Sequence, residues 1–451
     1  MAIKKFDLFV IGTGRAGRDV AMACVDAGLK VAIADNREYG GTCANRGCDP
    51  KKVIVGLTEI LSRSNHLLNN GITSIPEWSW SDLQQFKHQF TDAVPFVNER
   101  NLKNKGISLY HQSPRFMDKQ TLSVEGKTVH ADKIVIATGR KPNPLLIEGA
   151  ALTKVSDDFL NLEKLPKSMI FIGGGYVGME LAHVAARFGV DVSLIHPHDR
   201  PLNNFDADLV DLLVQSSKDL GIKFYFNYRV EKIEQLQKNF RVTASGNEKP
   251  LTLKAEMVFN CAGRVPSIDE LDLEKGEVAY SKKGVEVNKK LQSISNEHVF
   301  ACGDVSASNG KPLTPLAPVE AAVVISQLLD ADSKKEAVYP AQPSVVFTIP
   351  NVASIGLSED EAKKLHKEIT IKYEKVPQWF SAKHINSPVY AFKTITEKKS
   401  GKILGAHIIG EDIGEIINLF AVIIANGLTT KEIENTIFAY PTKGSEIKSM
   451  I

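Results

Sequence analysis

Short apolar runs, glycine turns and stretches of helical pattern alternate along the chain, and the alternation occurs twice. Phe6 to Ile11 is an apolar run that leads into Gly12-Thr13-Gly14-Arg15-Ala16-Gly17, then a helix-like stretch to about Ala27, then a second apolar run, Val31 to Ala34, closed by Asp35. The pattern returns with Met169 to Ile172, Gly173-Gly174-Gly175-Tyr176-Val177-Gly178, a helix to Phe188 and the strand-like Val190 to Ile195. Both copies read as strand, glycine turn, helix, strand, the unit that binds a dinucleotide. The first glycine permits the tight turn and the second lets the backbone approach a pyrophosphate. The third lets helix pack on strand, and the helix start offers free N–H groups to the anion. One such match is weak evidence, whereas two in the right context predict one fixed and one exchanging nucleotide.

Each unit is followed by a further strand with a similar end, Ile134-Val135-Ile136-Ala137-Thr138-Gly139-Arg140 and Val258-Phe259-Asn260-Cys261-Ala262-Gly263-Arg264. A third, His298 to Gly303-Asp304, precedes Leu313-Thr314-Pro315-Leu316-Ala317. Beyond Val338 the texture changes: Ser344 to Ile349, Tyr390 to Ile395 and Ile403 to Ile409 read as strands, and Gly414 to Asn426 and Thr430 to Thr436 as helices. The expected domains are 1–150, 151–268, a central segment 269–335 that completes the first domain, and an α+β module over 336–451.

Composition narrows the function class. With 43% apolar and 24% charged residues in 451, the chain is ordinary globular material rather than a disordered one. Lys plus Arg is 55 against 53 Asp plus Glu, without the basic excess of a nucleic-acid binder. No apolar run approaches the roughly 18 residues of a membrane span; the best, Leu419 to Ala425, is far shorter. Lys4 and Lys5 imitate the start of a signal peptide, but Asp7 interrupts the apolar run and no cleavage site follows. The expectation is a soluble, cytoplasmic protein.

Five cysteines are no disulfide scaffold. Cys24, Cys261 and Cys302 lie in apolar patterns and are expected to be buried hydrophobes. Cys43 and Cys48 differ, standing five apart in the glycine-rich loop Gly40-Gly41-Thr42-Cys43-Ala44-Asn45-Arg46-Gly47-Cys48. Pro50 suits a first helical turn, so Cys48 is expected at a helix start, where the dipole and Lys51 favour a thiolate. Asp35, past Gly14 at the end of a strand, suits a ribose hydroxyl pair. The second unit has His196 there, followed by Pro197, His198, Asp199 and Arg200.

Taken together, Gly12–Gly17, the Gly-Gly-Thr-Cys-x4-Cys-x-Pro-Lys loop, Gly173–Gly178 with Tyr176 and Glu180, Gly303-Asp304, Leu313-Thr314-Pro315, Phe347-Thr348, Gly356-Leu357-Ser358 and Tyr440-Pro441-Thr442 resemble the pyridine-nucleotide disulfide oxidoreductases. Glutathione reductase, dihydrolipoamide dehydrogenase and mercuric reductase belong to that family. The resemblance spans essentially the whole chain. It implies an α/β fold with two Rossmann-like domains, for FAD and for NADPH or NADH, and a C-terminal α+β dimerisation domain forming a homodimer. It implies that electrons pass from the nicotinamide through the flavin to a Cys43–Cys48 disulfide, with Cys48 nearer the flavin and Cys43 facing the acceptor. Lys51 and Glu180 match a pair against the flavin, Asp304 a residue on its ribityl chain, and Thr314 one whose backbone meets the ring. Tyr176 matches a lid over the nicotinamide. Gly12, Gly14, Gly17, Asp35, Gly41, Thr42, Thr138 and Gly139 then belong to the FAD site, and Gly173, Gly175, Gly178, His196, Arg200 and Gly263 to the nicotinamide site. No resident metal is expected.

Three departures from the family pattern bear on function. The family's acid–base histidine before Pro-Thr is Tyr440 here, and its partner glutamate is Ser445, with Glu446 one residue late. A tyrosine donates a hydrogen bond but is a poor base near neutral pH. Mercuric reductase also has a tyrosine there, yet this tail, Lys448-Ser449-Met450-Ile451, lacks that enzyme's cysteine pair. The arginines with which glutathione reductase grips its substrate fall at Met22 and Gln327, while Arg15 and Arg46 are extra cations, for an anionic substrate or for solvent. His196, His198 and Arg200 suit a 2′-phosphate better than a carboxylate would, which favours NADPH and predicts a preference that grows as the imidazoles charge towards pH ~6. The leading expectation is a glutathione-reductase-like enzyme acting on a small disulfide. A metal-ion or quinone reductase using the same electron path, and a non-catalytic redox-sensing flavoprotein, are the alternatives.

Overall fold

A computed structural model describes residues 3–246, 249–365 and 368–451. The chain forms two compact units: Met1–Lys51, Gln85–Asn143 and Arg264–Tyr339 make one, and Lys52–Gln84, Pro144–Gly263 and Pro340–Ile451 the other.

In the first unit the run at the N-terminus becomes the strand Lys4–Ile11, within the parallel part of a seven-stranded mixed sheet. Val31–Ala34 and then Ser108–Tyr110 lie to one side of it, and Lys127–Ile136 lies on the other. Val299–Ala301 adds in parallel to the far side of Lys127–Ile136, one strand away from the N-terminal strand. Parallel strands covered on both faces read as unbroken apolar runs, and Leu8 to Ile11 and Val31 to Ala34 are buried throughout. The helices Arg15–Asp26 and Leu316–Leu329 pack against each other with Ala16, Val20, Ala321 and Val324 buried. Cys24 and Cys302 are buried here, as their apolar settings lead one to expect.

The second unit repeats the construction and adds to it. Ser168–Ile172 is flanked by Asp191–His196 and Met257–Asn260, with Lys223–Phe226 at the edge, all parallel. Three antiparallel strands, Tyr228–Gln235, Phe240–Gly246 and Leu251–Ala255, form a separate crossover sheet. Cys261 is buried beside the turn. The last module is a five-stranded antiparallel sheet in the order Ser344–Val346, Asn351–Gly356, Ile403–Gly410, Ala391–Glu397, Ile369–Lys375, covered by the helix Gly414–Ala425. One face of the helix Tyr176–Arg187 meets this module through polar groups three and four residues apart, the spacing of a helical stripe. Glu180 Oε1 accepts from Phe347 N–H at 2.8 Å, His183 Nδ1 from Ile349 N–H at 3.3 Å, and Arg187 donates to Ile349 O at 2.8 Å. Among the described residues no helix is long and apolar enough to cross a membrane.

Candidate active site

The two glycine turns are built alike. Gly12 and Gly173 sit at φ +108° and +111°, and a Cβ there would meet the Ala137 and Cys261 carbonyl oxygens at 2.3 and 2.4 Å. Gly17 and Gly178 face the carbonyl oxygens of Gly12 and Gly173 at 2.0 and 2.1 Å, so only glycine lets each helix close on its strand. The middle glycines differ: Gly175 has open space beside it, and Gly14 meets only the Gly41 Cα at 3.9 Å. That is the side from which a phosphate can approach a helix start.

At each strand end a side chain accepts from the turn. Thr13 donates to Asp35 Oδ2 through its N–H at 2.8 Å and its hydroxyl at 2.6 Å, and Arg37 N–H donates to the other oxygen at 3.0 Å. In the second unit Gly174 N–H donates to His196 Nδ1 at 3.0 Å. The His196 imidazole is therefore neutral with its proton on Nε2. Burial and the neighbouring His198 hold its pKa below the usual range. Charging this imidazole, as expected towards pH ~6, would break the Gly174 bond to Nδ1, and Arg200 is bound to Asp211 Oδ1 at 2.8 Å rather than left as an open cation.

The cysteine loop folds as the short helix Gly41–Arg46, and Cys48 opens the long helix Cys48–His66. Gly41, at φ +76°, lies where a Cβ would come within 2.5 Å of the Gly14 Cα, so loop and glycine turn pack backbone to backbone. Cys43 and Cys48 are free thiols. The Cys48 thiol is lowered to about 6: the Cys43 thiol donates to it, Thr314 adds a hydroxyl at 3.5 Å from the sulfur, and Lys51 supplies positive charge. Cys43 is correspondingly pushed well up by holding the proton it shares with Cys48 and by burial.

Beside Lys127–Ile136, Thr138 Oγ1 is buried without a hydrogen bond, and Gly139 at φ +64° has open space around it. The Asp304 carboxyl is raised by burial, against the opposing pull of Arg140 and Arg264. These groups, with Gly14 and Asp35, fit the polar parts of a flavin dinucleotide. The turn at Gly303, next to Asp304, is held by a residue outside the family motifs. Glu320, buried in the apolar helix Leu316–Leu329, accepts from Gly303 N–H at 2.7 Å, the Ser306 and Ser308 hydroxyls at 3.1 and 2.6 Å, and Tyr339 at 2.6 Å. Its signal was legible as a lone carboxylate in an otherwise apolar helix.

Other candidates divide plainly. Lys51 lies in the first unit and Glu180 in the second. Tyr176 begins its helix, exposed. Arg15 pairs with Asp19 at 2.8 Å on the surface, and buried Arg46 binds Glu38 at 2.8 Å. Met22 packs half-buried beneath the first sheet, and the Gln327 amide is held by Ser333 and the Lys335 carbonyl. Tyr440 is 77% exposed. Its nearest aromatic neighbour is Phe380, with ring centres 6.4 Å apart. Glu446 is taken by the Ser381 hydroxyl at 2.6 Å and the Tyr390 hydroxyl at 2.9 Å, and Ser445 by Thr442. Among the described residues no group of three or more His, Cys, Asp or Glu is placed to hold a metal ion.

Two dinucleotide turns and a dithiol at a helix start define a nucleotide-dependent thiol redox protein. The chain belongs to the pyridine nucleotide-disulphide oxidoreductase family: residues 6–323 match its main domain and 342–451 its dimerisation domain. Members of this family are NAD(P)H-dependent flavoenzymes that use FAD. The chain is 29% identical over 494 residues to a glutathione reductase of Debaryomyces hansenii, covering 100% of this chain and 99% of that one. To a mercuric reductase of Staphylococcus aureus it is 27% identical over 455 residues, covering 98% and 81%. Among solved structures, the Cu(II) complex of the HOCl-induced flavoprotein disulfide reductase RclA from Escherichia coli superposes with a TM-score of 0.88 at 25% identity, covering 99% of each chain.

Proposed function

We propose that this flavoenzyme passes electrons from NAD(P)H through FAD to the Cys43–Cys48 pair and on to a small disulfide, working as a cytoplasmic homodimer. Residues 1–150 and 269–335 serve FAD, 151–268 the nicotinamide, and 336–451 the dimer contact. When bound, FAD supplies the step between a two-electron hydride donor and a pair of thiols. The observation that carries the reading is the placement of two thiols in one glycine-rich turn, with Cys48 at the start of a long helix and the Thr314 hydroxyl 3.5 Å from its sulfur. The Cys43 proton, Thr314 and Lys51 lower the Cys48 thiol and favour its thiolate, while Cys43 is pushed up. A thiolate is the nucleophile in exchange and a protonated thiol is not. Cys43 has Asp49 Oδ1 at 3.9 Å as a hydrogen-bond acceptor near its sulfur. The expected result is that Cys43→Ser and Cys48→Ser each lower disulfide turnover by about a thousandfold, while flavin reduction by NADPH continues. The two-electron-reduced protein should develop long-wavelength thiolate absorbance above about pH 6 and lose it below. Retained disulfide turnover in either variant sinks the reading.

A second reading, reduction of a metal ion as substrate, is favoured by Tyr440. The glutamate nearest in sequence, Glu446, is engaged by Ser381 and Tyr390 and not by this hydroxyl. Relatives named for mercury reduction and for a Cu(II) complex point the same way. Tyr440→Phe is expected to lower turnover of the true acceptor by about tenfold to a hundredfold, the scale of one hydrogen bond to a charged group. Assays against glutathione disulfide, Hg(II) and Cu(II) in both proteins decide between the readings.

A further inference from the structure

The sequence offers Arg15 and Arg46 as cations near the first glycine turn and the cysteine loop, and Asp19 and Glu38 pair with them. A third guanidinium, Arg18, lies half-buried in the helix Arg15–Asp26 with no such pairing among the described residues. Its Nη1 donates to Asn98 Oδ1. Asn98 is buried in the helix Val94–Asn104 and donates its Nδ2 to the Val94 carbonyl at 2.7 Å, so the amide is held from both ends. Arg18 Nε is buried and makes no hydrogen bond. Of the charged groups that act on it, Asp19 is already bound by Arg15, and Arg15 itself opposes it. A cation withdrawn from water against one neutral amide is short of an anion. Its place in the fold bears on which anion that is. Asn98 abuts Gly40, which stands at φ +115° immediately before the helix Gly41–Arg46. A Cβ on Gly40 would come within 3.0 Å of Asn98 Nδ2 and 2.8 Å of Val94 Cγ1. Arg18 is thus one amide away from the loop that carries Cys43.

We propose that Arg18 docks the negative charge of the acceptor, so that the disulfide reduced by this enzyme is a small carboxylate-bearing one. The inference rests on the reading of Cys43 and Cys48 as the pair that reduces a disulfide. Asn98 takes Nη1 and leaves the opposite edge of the guanidinium, Nε and Nη2, whose N–H groups match the paired oxygens of a carboxylate. A neutral disulfide leaves that edge unsatisfied, and a cationic one is repelled by it.

The test compares disulfides of similar length and different charge: dithiodipropionate, which is anionic, hydroxyethyl disulfide, which is neutral, and cystamine, which is cationic. Each is assayed with NADPH and the FAD-loaded protein near neutral pH. The wild type should favour dithiodipropionate over hydroxyethyl disulfide by about tenfold to a hundredfold in kcat/KM, the scale of a hydrogen bond between charged groups, and cystamine should be the poorest. Arg18→Gln should bring the first ratio to within about threefold of unity, with the change in KM rather than kcat. Arg18→Lys keeps a cation and should keep a preference of the same sign, which covers the case in which the glutamine variant fails to fold. A wild type that reduces the three disulfides alike overturns the proposal and leaves the disulfide reading standing, and so does an Arg18→Gln protein with the wild-type ratio. Loss of bound FAD in Arg18→Gln would assign the cation to the cofactor's pyrophosphate and overturn the proposal as well. If the wild type reduces none of the three yet oxidises NADPH with Hg(II) or Cu(II), the disulfide reading itself falls and takes the proposal with it.

Discussion

The two glycine turns share a backbone and differ in what seals them. Each places a left-handed glycine under a neighbouring carbonyl, and each closes its helix through a glycine with no room for a side chain. In both, the residue after the first glycine sends its N–H to the side chain at the second strand's end, at 2.8 Å to Asp35 and 3.0 Å to His196. The carboxylate, having taken that bond and the Thr13 hydroxyl, still has lone pairs to offer a sugar hydroxyl. The imidazole has only a donor left. One architectural device thus leaves opposite hydrogen-bonding capacity at the two glycine turns, and the chemistry of one strand-end residue decides which.

The largest effect expected from breaking this comparison is at the closing glycines. Gly17→Ala puts a methyl 2.0 Å from the Gly12 oxygen and should yield protein without flavin colour after gentle purification. Gly178→Ala should stay yellow yet be reduced by NADPH about a hundredfold more slowly in rapid mixing, as expected if the second turn serves only the exchanging nucleotide. Equal loss of flavin in both variants would erase the distinction between the sites.

Acid titration probes the helix behind the second turn. His183 is buried, bonds to the Ser217 hydroxyl at 2.8 Å, and has its pKa lowered by burial, with Arg187 adding to this, to about 3. Because the folded value lies below the unfolded one, the stabilisation is complete above about pH 6.5 and is lost progressively as pH falls towards 3. At about pH 4.5 the loss amounts to about 2–3 kcal/mol, and denaturant unfolding should show it in the wild type and largely not in His183→Gln. A pH-independent difference between the two proteins contradicts this account.

The smallest effect is expected from Asp35→Asn. The amide oxygen still accepts from Thr13, but the charge is gone, so FAD should dissociate about threefold to tenfold more readily, measured by flavin fluorescence on dilution. No change would mean that Asp35 serves the turn and not the ribose.

Both nucleotide units, the exceptional cysteine pair, the start of a helix at Cys48 and the burial of Cys24, Cys261 and Cys302 were legible in the sequence because each is written in local spacing and apolar runs. What was not legible depends on partners far along the chain. The tautomer of His196 is set by a glycine 22 residues earlier. Glu446 looked like a displaced orienter for position 440 until Ser381 and Tyr390 claimed it. The strands Asn351–Gly356 and Ile369–Lys375 escaped the pattern as well. The second of these is the edge strand of its sheet and mixes charged with apolar residues, so it lacks the continuous apolar run of the inner strands.

The polar stripe on Tyr176–Arg187 limits how this chain can be cut. Glu180, His183 and Arg187 all bond the main chain of residues 347–349. A fragment carrying only the second nucleotide fold would keep its sheet and glycine turn but expose a carboxylate, an imidazole and a guanidinium that evolved against a backbone it no longer has. Modular swaps of the terminal module between relatives therefore require this helix face to travel with it, and the natural joint for engineering lies elsewhere than between these two segments.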